Sequence, residues 1–173
     1  MAVGLAEVRR RGGRLFALGV GGGAANASHA VNDFRKLCGV ESYAPTDNVS
    51  ELTARTNDEG WNESFTGWLR VSRLSRVDAL IVFSVGGGSR EHNVSVNLVN
   101  ALEMAHHIGA TIYGVVGAPG GTLAELADLA IVLEVPDELR TPLVESYQAV
   151  VWHAVVSHPH LALRSAHWES ITR

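Results

Sequence analysis

Apolar positions fall into two alternating patterns along the chain: short unbroken runs, and longer stretches with apolar residues at helical spacing. The runs cover 14–19, 40–44 (the weakest), a third opening at Asp78-Ala79, then 111–116 and 129–135. Unbroken apolar runs are typical of strands in parallel sheets, where helices bury both faces. Between them the spacing predicts helices over 3–11, 24–37, a short one capped by Asp47 or Asn48 and reaching 54, 61–72, 92–108, 123–127 and 141–157. Breakers fall in the gaps: Gly12-Gly13, Gly39, Pro45, the turn Asn57-Asp58-Glu59-Gly60, Gly109 and Pro159. Strands alternating with helices predict an α/β fold, a doubly wound five-stranded parallel sheet with right-handed crossovers. No repeat or linker divides the 173 residues, which read as one domain with its core over 14–157. The tail, 161–173, carries Arg164, His167 and Trp168 and either docks on a partner subunit, which Trp168 favours, or frays.

Two of the runs end in glycine. The first continues as Gly19-Val20-Gly21-Gly22-Gly23 into a predicted helix, the second as Ser84-Val85-Gly86-Gly87-Gly88-Ser89. Glycine after a strand lets backbone approach a ligand, and the following helix offers free N–H groups and a positive dipole end. Two such loops on one sheet point to an anionic or polyhydroxylated small molecule held between them by Gly21, Gly22, Gly23, Gly86 and Gly87. A dinucleotide reading lacks its acidic residue at the end of the second strand, since Glu41 stands at that strand's start. The glycines could also serve tight turns alone.

Composition narrows the partners. A net charge of −4 gives no electrostatic case for nucleic acid or a membrane surface. No run approaches the ~20 apolar residues of a membrane helix, and the first ten residues lack a signal-peptide core. One cysteine, Cys38, excludes a disulfide framework and reads as a core residue. A cytoplasmic protein is expected.

His29 and Asp33 stand four apart on one predicted helix, Glu145 and His153 eight apart on the last, so each pair shares a face. If the helices flank one site, the four make a ligand set for a divalent metal that prefers imidazole and carboxylate. Taken singly, His29 could bond locally and Glu145 could face solvent in a first helical turn. His106-His107 suit a helix C-terminus, and His158 and His160 read as surface residues.

In order and spacing, the first loop with Ala25-Asn26-Ala27-Ser28-His29, then Asn57-Asp58-Glu59-Gly60, Phe83-Ser84-Val85-Gly86-Gly87-Gly88-Ser89, and Gly117-Ala118-Pro119-Gly120-Gly121 resemble the sugar-isomerase (SIS) domain, nearest its phosphoheptose isomerases. The resemblance, over about 14–157, implies a flavodoxin-like three-layer sandwich and an aldose–ketose isomerase of sedoheptulose 7-phosphate or a similar sugar phosphate. It also implies a homotetramer with active sites between subunits, and zinc in several members. By motif, His29 falls on a metal-ligand histidine and Asp33 on the catalytic glutamate. Glu145 and His153 match the spacing of a glutamine and a histidine on the last helix. Ser84 and Ser89 fall on phosphate-binding serines, and Asn57 and Asp58 on a turn that touches the sugar.

The chain departs from the family in its loops. Val20 and Gly23 stand for asparagine and serine in the first, and Val85, Gly86 and Gly88 for threonine, serine and asparagine in the second. Backbone N–H groups, Ser84 and Ser89 remain as donors. The expected function is a metal-assisted isomerase working through an enediol, with Asp33 and His153 as its catalytic residues. The alternative is a phosphosugar-binding sensor without catalysis.

Overall fold

The structure, a computed structural model, describes residues 1–165, so Trp168 and His167 lie outside the described residues. Five strands form one parallel sheet in the order β2-β1-β3-β4-β5: β1 (Leu15–Gly19), β2 (Ser42–Tyr43), β3 (Ala79–Ser84), β4 (Thr111–Gly117) and β5 (Leu129–Leu133). Seven helices cover it: α1 (Ala2–Arg10), α2 (Gly22–Cys38), α3 (Val49–Asp58), α4 (Ser64–Val71), α5 (Val96–Ile108), α6 (Gly121–Leu126) and α7 (Arg140–Val156). The doubly wound parallel sheet is as the apolar runs predict.

The reason for unbroken runs is visible in the strand alternation. Leu15 and Ala17 of β1, with Ala79, Ile81 and Phe83 of β3, enter the core under α1, α2 and α7. Phe16, Leu18, Leu80 and Val82 enter the opposite core under α4, α5 and α6. Every residue of β1 and β3 is buried. The edge strands are more open: β5 leaves Leu129 and Val132 exposed, and β2 leaves Tyr43 exposed.

Three boundaries differ from the sequence reading. Asn57 and Asp58 are the last turn of α3 and no turn: the Asn48 side chain accepts from the Glu51 N–H, and Arg55 pairs with both Glu51 and Glu59, which carries the helix through. The helix expected from 92 begins only at Val96, because Ser89 and Val94 pair across a small hairpin. The second strand shrinks to Ser42–Tyr43 at the sheet edge.

In this strand order the chain winds outward in opposite directions from β1 and β3, which are direct neighbours with Gly19 beside Phe83. That is the topological switch point, where open α/β sheets leave a crevice beyond the strand ends. Both glycine loops open there.

Candidate active site

The first loop is shaped by close approach. A Cβ on Gly23 would lie 2.4 Å from the Phe83 carbonyl oxygen, so glycine lets the start of α2 press against β3. A Cβ on Gly22 would lie 2.3 Å from a carboxylate oxygen of Glu145, which sits over the N-terminal end of α2. Gly21, the N-cap, has φ +60 and is exposed.

The second loop is locked from beneath. The Ser84 hydroxyl, nearly buried, accepts from the Gly87 N–H at 2.9 Å. The Leu123 and Thr122 N–H groups donate to the Gly87 and Gly88 carbonyls. A Cβ on Gly87 would lie 1.7 Å from the Gly120 oxygen, so this loop and the β4–α6 turn fit only without side chains. Gly86 faces open space.

Ser89 is elsewhere. Ser89 and Val94 exchange two backbone hydrogen bonds of 2.9 Å, and 90–93 form an exposed turn between them. The Ser89 hydroxyl bonds His92 Nδ1 at 3.0 Å, and Arg90 ties the turn to Asn100 and Glu103 on α5. The hairpin brings the Ser95 backbone next to Gly88, whose added Cβ would lie 3.6 Å from the Ser95 carbonyl oxygen. Ser95, not Ser89, is therefore the N-cap of α5, and its hydroxyl caps nothing. Two residues on, Asn97 is fully buried, with no partner for either side-chain polar atom among the described residues. Sequence reasoning missed both residues, because spacing cannot show that 89–94 fold out of the way. The available signal was the run of five polar residues, Ser89 to Asn93, before the next apolar position.

Along α2, His29 and Asp33 meet His153 of α7, with one ligand atom of each within 4.8 Å of the others. His153 Nε2 is 3.8 Å from Asp33 Oδ2. His153 Nδ1 lies 2.8 Å from the Ala149 carbonyl, and since a carbonyl only accepts, Nδ1 is the protonated nitrogen. Nε2 is the nitrogen left to face the carboxylate, and in the neutral ring that a metal requires, a cation between the two satisfies both. The Asp33 side chain is 14% exposed and accepts from Asn32 Nδ2 at 2.8 Å. His29 and His153 are exposed.

The donor set fits a divalent metal. It offers two imidazole nitrogens and one carboxylate oxygen, three protein ligands with room for substrate, as catalytic zinc sites have. The bond from His153 to a backbone carbonyl is the usual fixing of a metal-bound imidazole.

Glu145 does not join these three in the cluster. It lies eight residues before His153, about 12 Å along α7, and stays over Gly22. Helical periodicity correctly puts Glu145 and His153 on one face, but two turns is too far for one ion. Asn57 and Asp58 are exposed and bonded to each other on a helix that packs on α4. Cys38 is buried, its Sγ donates to the Val156 carbonyl, and burial pushes its thiol up to about 11, so it is the expected core residue. His106 and His107 sit in the last turn of α5, as expected.

No family model matches the chain. Similar proteins are nonetheless plain. The chain is 37% identical over 159 residues to the lincomycin biosynthesis protein LmbN of Streptomyces lincolnensis, which covers 85% of this chain but 56% of that protein's length. It is 32% identical over 154 residues to a phosphoheptose isomerase of Aneurinibacillus thermoaerophilus, covering 86% and 73%. Among solved structures, a phosphoheptose isomerase of Neisseria gonorrhoeae superposes with a TM-score of 0.76 at 25% identity, over 90% of this chain and 80% of that one.

Proposed function

The chain belongs to the phosphoheptose isomerase family, and we propose that it interconverts the aldose and ketose forms of a sugar phosphate of sedoheptulose 7-phosphate type. The observation that carries this reading is the His29–Asp33–His153 cluster on the two helices beside the switch-point loops. The cluster begins two turns, about 10 Å, along α2 from the first loop. An extended polyhydroxylated chain with a terminal phosphate bridges such a gap.

The phosphate goes to the second loop. The groups that would receive it there are the N-terminal N–H groups of α5, the Gly86 backbone and the Ser95 hydroxyl, which makes no capping bond, while Ser84 holds the loop in shape. Gly21 and Gly22 bound the sugar on the other side, with the Glu145 carboxylate above to accept from hydroxyls. Within the described chain the Ser89 hydroxyl bonds His92 and the Asn57 and Asp58 side chains bond each other, so this path does not call on them.

Isomerisation moves a proton between C1 and C2 through an enediol. Asp33, half-buried and steadied by Asn32, is the carboxylate placed to carry that proton. His153 Nε2 and His29 would hold a divalent metal with it, zinc by ligand preference. When bound, the metal polarises the carbonyl oxygen and favours the enediolate. His153 cannot hold metal and shuttle a proton on the same nitrogen, and we assign it to the metal.

A homotetramer and a cytoplasmic location go with this reading. Cys38 is a free thiol, and no described helix is long and apolar enough to cross a membrane. The test is incubation with sedoheptulose 7-phosphate in deuterated water. Conversion to the aldose with label at C1 or C2 is expected. Binding without conversion or exchange would replace the isomerase with a phosphosugar sensor.

A further inference from the structure

The residue next to His153 is used by none of this chemistry. Trp152 is fully buried, the largest of the fully buried side chains, on the side of α7 that faces α2. Its indole N–H has no hydrogen-bond partner among the described residues. A buried donor left unpaired costs free energy that a phenylalanine would not, so the larger ring must give something a smaller one does not. Its contacts show what. The ring centroid of Trp152 is 4.6 Å from that of His29, at 63°, and 3.5 Å from that of His153, at 34°. The two imidazoles in turn meet edge to face at 5.4 Å. Both histidines are exposed on their outer sides, and among the described contacts His29 has no side-chain hydrogen bond to fix its ring. An exposed imidazole with nothing behind it rotates freely, and a metal must then order it at a cost to affinity.

We propose that Trp152 is a positioning residue for the metal ligands: one rigid indole wall against which His29, from α2, and His153, from α7, both lean. The wall presets the angle at which their nitrogens converge with Asp33, whereas the Ala149 carbonyl sets only the tautomer and tilt of His153. Trp152 touches neither substrate nor metal. This inference rests on the metal reading of the cluster, and the experiment separates the two.

Metal-free protein is titrated with zinc alone against a chromophoric chelator, for wild type, Trp152→Phe and Trp152→Leu. Outer-shell supports of metal ligands typically change affinity 10- to 100-fold. Trp152→Leu, which keeps an apolar side chain but no flat wall, should lose about tenfold or more. Trp152→Phe, with a smaller ring, should fall between it and wild type. A wall that merely fills the core would lower the melting temperature of the metal-free variants and leave zinc affinity unmoved, which would overturn the proposal. Absence of zinc binding by wild type would instead overturn the metal reading itself. Should Trp152→Leu not fold, the Phe variant decides: zinc affinity equal to wild type rejects the wall, and a loss of about threefold or more supports it.

Discussion

His153 Nε2 faces Asp33 Oδ2 across 3.8 Å, with the opposite ring nitrogen of His153 tied to the Ala149 carbonyl. Those two atoms are two of the three donors of a candidate cation site, and His29 supplies the third. His29→Ala and His153→Ala each remove one of three ligands. Both should stay folded, since both side chains are exposed, and both should lose most bound metal by elemental analysis. Full metal in both would mean the site is elsewhere.

Asp33→Asn keeps the size of the side chain but cannot take a proton. A general base contributes about 10²–10⁴-fold in rate, so isomerisation and solvent-proton exchange should fall by that range while sugar phosphate still binds. Metal content on the same sample separates its two roles: retained metal makes the loss that of the base alone, and lost metal adds the loss of a ligand. Unchanged activity would remove it from the reaction.

Ser95 and Ser89 make a paired test of the second loop. A hydrogen bond to a charged group is worth about 1.5–3 kcal/mol, or roughly 10- to 150-fold in affinity. Ser95→Ala should lose affinity for sugar phosphate in that range by calorimetry. Ser89→Ala should change it little, because its hydroxyl is spent on His92 in the exposed turn. The reverse order would return the phosphate to the hairpin.

Self-association should cover the apolar outer face of α7, where Tyr147 and Val150 are exposed on the same helix as His153. Helices apolar on several sides are usually buried on several sides. Sedimentation at micromolar concentration should give a tetramer, and Val150→Glu should shift it to smaller species. A monomeric wild type would contradict a site shared between subunits.

Acid should weaken the molecule through Asp78. Burial pushes its carboxyl up, but hydrogen bonds from the Arg14 guanidinium and backbone and from Ser75 outweigh that and hold it below the usual carboxylate value. A lowered folded value contributes stability that is complete above about pH 4 and is lost as pH falls through the folded value. Asp78→Asn strands Arg14 and should cost about 3 kcal/mol at neutral pH. Urea midpoints of wild type and variant should converge on acidification below pH 4. A gap that stays constant would show that the pair is not what acid breaks.

The sheet and the helices over it were legible in the sequence because their cause is local: two buried faces leave no polar position in β1 and only the terminal Ser84 in β3, and Gly39 and Gly109 stop helices with left-handed backbone. The pairing of His29 with Asp33 was legible for the same reason, four residues being one helical turn. What periodicity could not fix was the height of α7 against α2. That packing puts His153, and not Glu145, level with His29 and Asp33, and leaves Glu145 over Gly22. Nor could spacing show that Ser89 and Val94 pair and hand the N-terminus of α5 to Ser95, or that Trp152 lies behind both histidines. A sequence determines which residues share a turn or a face. Which faces meet, and at what depth, follows from side chains far apart in the chain filling a common volume, and only the tertiary structure decides that.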